Sequence, residues 1–268
     1  MFLPNHSSCY FMKKLLTCLA ILGLAQGARA QATLSFGPRL GGNLATATFN
    51  SLEGLSANGY SISYQKSPIV APQVGMVINL QWGNWAFQPA LLFSQKGVKQ
   101  TVAVEFSGSG YSIREDINVT SRINYLELPL NAVYTLGGDT GFQLFAGPYL
   151  ALGMGGKATY TDQATATSNG NSENYSENGT VGYTFANQFA DPNSSSGSSS
   201  NIFATARRFD AGVAGGVGYR RGPVQAQLGY SLGLLNVQPD YPASYRMANE
   251  TGYHRSLQLT ATYFVTRK

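Results

Sequence analysis

At 268 residues the chain is only 12% charged, about half the usual share for a soluble protein, yet it holds 31 glycines, 16 tyrosines and 14 phenylalanines. Each span of a helical membrane bundle would need roughly 18 or more consecutive apolar residues, and no run of that length exists, which excludes that class. An aromatic content of 12% excludes disorder throughout, because a solvated chain does not carry so much surface to bury.

Met12-Lys13-Lys14, the apolar stretch Leu15 to Leu24 and the small-x-small site Ala28-Arg29-Ala30 read in order as a secretory signal peptide. Residues 1–30 are therefore expected to be removed by cleavage after Ala30, with Met12 as the initiator and Gln31 as the first mature residue. Both cysteines, Cys9 and Cys18, leave with that segment, so disulfides, thiolate metal sites and a cysteine nucleophile are not expected. The mature chain keeps fifteen basic against thirteen acidic residues. Those basic residues are scattered among strands and turns and form no cationic face, so nucleic acid is not an expected partner.

The mature chain then alternates, apolar against small or polar, through eight segments. The first, Leu34 to Ala45, sets Leu34, Phe36, Leu40 and Leu44 against Arg39, Gly41 and Asn43. The second and third, Gln73 to Trp82 and Trp85 to Lys96, are joined at Gly83-Asn84. The fourth, Arg122 to Leu136, turns Leu126, Leu128 and Leu130 one way and Glu127 and Asn131 the other. The fifth runs from Phe142 to Met154. The sixth, Phe209 to Tyr219, opposes its apolar residues with Asp210, Gly212, Gly216 and Gly218. The seventh, Val224 to Leu232, and the last, Ser256 to Val265, repeat the pattern with glutamine, serine and threonine. A soluble sandwich would carry lysine and glutamate on its polar face; glutamine, glycine, serine and asparagine suit an enclosed lumen, which makes the apolar face the lipid face.

Connections alternate in length as an even-stranded outer-membrane barrel requires. Short turns lie at Gly83-Asn84, Gly137 to Gly141 and Arg221-Gly222; long extracellular loops are expected at about 46–70, 101–117, 158–206 and 237–253. Each segment reaches the roughly 9 to 11 residues that a tilted spanning strand needs. Trp82, Trp85, Tyr134, Phe142, Tyr219 and Tyr263 fall beside the short turns, where an aromatic girdle would sit at the membrane interface. The expected fold is all-β: an eight-stranded antiparallel up-and-down transmembrane barrel over residues 31–268.

The segment Phe87-Gln88-Pro89-Ala90-Leu91-Leu92-Phe93-Ser94-Gln95-Lys96-Gly97 resembles the third-strand motif of the PorT-like family of small outer-membrane barrels, and Tyr125-Leu126-Glu127-Leu128-Pro129-Leu130 its fourth. Ala146-Gly147-Pro148-Tyr149 and Phe209-Asp210-Ala211-Gly212 are similar to its fifth and sixth strands. The resemblance spans essentially the whole mature chain and implies eight strands with both termini in the periplasm. Two departures stand out: Ala90 replaces the usual glutamate, and Val265 occupies the place of the terminal aromatic, with Tyr263 and Phe264 just before it.

The alternation points Arg39, Lys96, Arg208 and Arg220 inward with Glu127 and Asp210. Buried charges must pair, so an ion-pair and amide network is expected to close the lumen, with the two carboxylates as its acceptors. A narrow pore lined by the same charges is the competing reading. His254, the one histidine outside the signal segment, has Ser256 two residues on, resembling the His-x-Ser pair of outer-membrane lipid A deacylases; both point inward, away from lipid, and no enzyme activity is expected. No metal or other cofactor is expected either. Thr165 to Asn178 and Asn193 to Asn201, rich in serine, asparagine, glycine and threonine, are expected to be mobile. The partners implied are outer-membrane lipid, the barrel-assembly machinery during biogenesis and an unidentified extracellular ligand or envelope protein, with a structural or interaction role for the protein.

Overall fold

The computed structural model describes residues 32–49, 60–108, 110–138, 140–188, 204–241 and 251–266. The expected signal peptide, 1–30, and the Asn193 to Asn201 run lie outside the described residues.

Twelve strands are formed there: β1 Thr33–Phe49, β2 Tyr60–Ser67, β3 Ile69–Trp82, β4 Trp85–Gly108, β5 Tyr111–Thr135, β6 Gly141–Ser168, β7 Asn171–Phe185, β8 Ala204–Ala206, β9 Phe209–Arg221, β10 Val224–Gly233, β11 Gly252–Tyr263 and β12 Val265–Thr266. Eight of them close an antiparallel ring in the order β1-β3-β4-β5-β6-β9-β10-β11, sealed where β11 pairs back on β1 from Arg39↔Thr262 to Phe49↔Gly252. Closure leaves the ring no free edge, which is how a sheet crosses hydrocarbon without orphaned backbone groups.

The distribution of side chains is the reverse of a soluble protein's. Leu40, Phe142 and Leu259 are 62%, 68% and 63% exposed on the outer face, whereas Gln88 and Gln225 are fully buried inside. Short turns gather at one end: Gly83 and Gly222 take positive φ of 56° and 57° to reverse the chain in two residues. The expected girdle residues lie around that end, with Trp85 packed on Tyr134 at 5.0 Å and Phe142 on Tyr219 at 5.2 Å. Asn84 donates to the Tyr134 hydroxyl at 3.3 Å, and Trp82 and Tyr263 point outward.

Three of the expected loops are largely strand. The 101–117 region is the far end of β4 and the start of β5, paired from Lys99↔Thr120 to Gly108↔Tyr111. The described part of 46–70 belongs to β1, β2 and β3, with β2 extending the wall by pairing on β4. Within 158–206, β6 and β7 form a hairpin closed by Asn169-Gly170, whose φ values of 50° and 84° are those a two-residue primed turn needs. The Thr165 to Asn178 run is therefore ordered: its threonines and asparagines bond across the ladder, as Thr165 does to Asn174 at 2.9 Å. In the 237–253 region the described residues 237–241 tie down the mouth by backbone bonds, Arg207 N to Val237 O and Val237 N to Gly252 O, both 2.9 Å.

A bulge changes what β6 faces. Tyr125 pairs Gly153 while Asn124 pairs Gly155, so Met154 is the extra residue and the inward positions switch from odd numbers below it to even numbers above, Ala158 and Tyr160 among them. Below the bulge β6 pairs β9; above it, β7.

The inward glycines of β9 make room. A Cβ on Gly212 would lie 2.0 Å from the Leu232 carbonyl oxygen and 2.8 Å from the Tyr149 ring. Gly212→Val is expected to prevent β9–β10 closure and remove the heat-modifiable folded band on a gel; Gly42→Ala, with its nearest atom at 3.9 Å, should keep it. On the β6–β7 hairpin, hydrogen bonds from Tyr175 and then Tyr160 hold the Glu177 carboxyl below its ordinary pKa. A depressed folded-state pKa stabilises the hairpin above the unfolded value of about 4.3 and stops doing so as pH falls through the folded value. An NMR titration should place Glu177 below that reference, and Tyr175→Phe should move it back up.

Candidate functional site

The barrel interior is filled in layers. Its centre is Lys96, 1% exposed, whose ammonium donates to Glu127 at 2.9 Å and to Asp210 at 3.1 Å. Lys96 comes from β4, Glu127 from β5 and Asp210 from β9, so the cluster ties together three walls of the ring. The Tyr149 hydroxyl donates to Asp210 at 3.2 Å, and its ring lies 4.1 Å beneath the ammonium. The Tyr125 ring lies 5.5 Å from the ammonium, with its hydroxyl 3.1 Å from His254 Nε2. Cation, carboxylates and rings together cross the lumen.

Toward the short turns the packing continues in amides, hydroxyls and two arginines. A void of only about 20 Å³, bounded in part by Arg39, Gln73, Glu127 and Gln227, separates the lysine cluster from the next layer; that is room for about one water molecule. Arg39 donates to Thr262 at 2.9 Å and to Gln227 at 3.0 Å. Gln88 and Gln225 exchange bonds at 3.0 and 3.1 Å, and Gln88 also donates to Asn79 at 2.9 Å. Arg220 donates to Gln81 at 2.7 Å and lies 4.9 Å over the ring of Phe264, which turns inward to close that end.

Five of the six charged residues expected inside are there, but they form two kinds of contact. Lys96 takes both carboxylates, whereas Arg39 and Arg220 bond to amides and a hydroxyl in the layers below. Arg208 is the correction: it is exposed, and its Nε lies 3.4 Å from the Gly153 carbonyl. The strand begins at Phe209, so counting the alternation back from Asp210 extends it one residue past the ladder. Tyr125 and Tyr149 were not among the expected residues. Their signal was present, since each shares parity with an inward residue of its own strand, Glu127 and Gly147. His254 and Ser256 are both buried in the lumen, 4% and 1% exposed, and face no lipid.

Replacing one member of a buried ion cluster leaves the others uncompensated. Lys96→Met is expected to lower the unfolding free energy in lipid vesicles by about 3–5 kcal/mol. Lys96→Met combined with Glu127→Gln and Asp210→Asn should recover much of that loss, measured by urea unfolding.

A family model described as "Outer membrane protein beta-barrel domain" matches residues 24–238. No curated protein sequence matches the chain. Among solved structures it is similar to Ail, the attachment invasion locus protein of Yersinia pestis, at 10% identity and a TM-score of 0.32, over 87% of this chain and 99% of that one. It is also similar to the toluene transporter TodX of Pseudomonas putida, at 10% identity and a TM-score of 0.22, over 87% and 89% of the two chains. With the family model spanning most of its length and the closed, inside-out ring in place, the chain belongs to the outer membrane protein beta-barrel domain family and resides in the outer membrane.

Proposed function

We propose that the protein is a sealed barrel that acts by contact at the cell surface, through the wall that β2, β4, β5, β6 and β7 raise above the membrane. The observation that carries this reading is the length of those strands against the filled lumen. β4, β5 and β6 run for 24, 25 and 28 residues, far beyond the roughly 9 to 11 that cross the bilayer. Beneath them, the Lys96 cluster and the amide layers occupy the interior. The inward burial of His254 and Ser256 supports a non-enzymatic role, and the Phe87 to Gly97 and Tyr125 to Leu130 motifs support a PorT-like place within the family. Membrane lipid around the apolar belt and the assembly machinery during insertion are the partners this reading requires.

The refolded chain from Gln31 to Lys268 is expected to be silent in planar-bilayer conductance once heat-modifiable migration shows it folded. Discrete steps altered by Glu127→Gln or Arg39→Gln would overturn the sealed reading and favour a narrow passive pore. Replacing Asp162–Glu177 by Asn-Gly shortens the β6–β7 hairpin while keeping the Thr161↔Asn178 pair. That variant should insert normally and lose attachment of expressing cells to protein-coated surfaces; unchanged attachment would move the contact off this wall.

A further inference from the structure

Above the lysine cluster the sense of the alternation reverses. In the membrane belt the outward residues of β4 and β5 are apolar, as with Leu91, Phe93, Leu126 and Leu128, and the inward ones are mostly polar. Higher on the same strands Lys99 is exposed outside, Arg122 and Lys157 face each other across the β5–β6 ladder, and the inward residues are mostly apolar, with Val98, Val102, Ile117, Val119 and Ile123 beside Gln100 and Ser121. The upper barrel is thus built like a water-soluble β-structure with an apolar interior. That interior is hollow: a cavity of about 540 Å³ lies inside it, within the size range of small-molecule pockets. Tyr183 and Ala206, from the parallel β7–β8 pair, and Val237 also line it, with Tyr183 and Ala206 packed against the group that holds Tyr125 and Tyr149.

Its wall is mainly carbon, with polar groups set among the apolar ones, Gln100, Ser121, Tyr160, Asp162 and His254 included. His254 lines the cavity at its lower end, held by Tyr125 through Nε2, and its Nδ1 has no hydrogen-bond partner although the residue is 4% exposed. Asp162 is the one carboxylate, and no lysine or arginine stands, among the described lining residues, so an anionic headgroup would find no counter-charge among them. We infer that this cavity is a binding site for a neutral, mainly apolar small molecule carrying a hydroxyl group, taken up from the outside and anchored at His254 Nδ1. A hydroxyl serves whichever tautomer the Tyr125 bond selects, because it can donate to a bare Nδ1 or accept from a protonated one. The filled lumen below makes this a site of capture and not of passage.

The test uses the refolded chain in lipid nanodiscs, with empty nanodiscs as the reference for partitioning, and 2-naphthol, naphthalene and 2-naphthoate as probes at pH 7. Saturable one-site binding is expected for 2-naphthol, about tenfold weaker binding for naphthalene, and none for 2-naphthoate. Val119→Trp and Val102→Trp, both on the extracellular wall, should each weaken 2-naphthol at least tenfold by filling the cavity, while Leu144→Trp on the lipid face should leave it unchanged. His254→Phe should abolish the preference of 2-naphthol over naphthalene. No saturable binding to the folded chain, binding indifferent to both cavity-filling variants, or stronger binding of 2-naphthoate would overturn the inference. A preference that survives His254→Phe would overturn the anchor. These readouts are independent of conductance and of cell attachment, so the site can fail while the sealed-barrel reading stands.

Discussion

Hydrocarbon offers no hydrogen bonds, and this single constraint organises the molecule. Every backbone amide and carbonyl at membrane depth must find its partner within the sheet, so the sheet has to close, as β11 does on β1. Closure with only eight strands leaves an interior that side chains can fill, and the outward face must then be apolar. Leucine, valine and phenylalanine are therefore spent on the outside, and the inside has to be held together by groups that satisfy one another.

That requirement explains the layering of the lumen. Glutamine and asparagine carry both donors and acceptors, so Gln88, Gln225 and Asn79 bond to one another, and Asn79 passes the network on to Ser35 and Gln81. Opposite charges meet where three strands must be fixed at once, one ammonium on two carboxylates, backed by the Tyr149 ring and hydroxyl. The glycines of β9 provide the space that Tyr149 needs, since Gly212 sits directly against its ring.

Much of the membrane-spanning half was legible in the sequence because a two-residue period and one buried face leave little freedom in register. The eight spans, the short turns and the inward placement of Lys96, Glu127 and Asp210 follow from that period. The half beyond the lysine cluster was not legible for two physical reasons. There the alternation carries its apolar residues inward, so a reading tuned to apolar-outward spans stops at Lys96 and resumes at Arg122. Serine, threonine and asparagine, moreover, look like loop composition even where they bond across a ladder, as in β6 and β7. The Asn169-Gly170 pair was the overlooked sign that a hairpin lay inside the longest expected loop. The cavity had no sequence signature at all, because it depends on how far apart the walls stand.

The continuity of β4 and β5 places two opposite sorting rules on one pair of strands, divided near Lys96 and Asn124. Each residue's role is fixed by its distance from that dividing line, counted in steps of two. The wall above it can therefore be lengthened or trimmed during evolution only by even numbers of residues in each strand. An odd change below the tip would turn valines to water and lysines to the interior. Variation in the height of this wall among related barrels should accordingly come in quanta of two residues per strand, with single-residue differences confined to the hairpin tips or absorbed by a bulge such as the one at Met154.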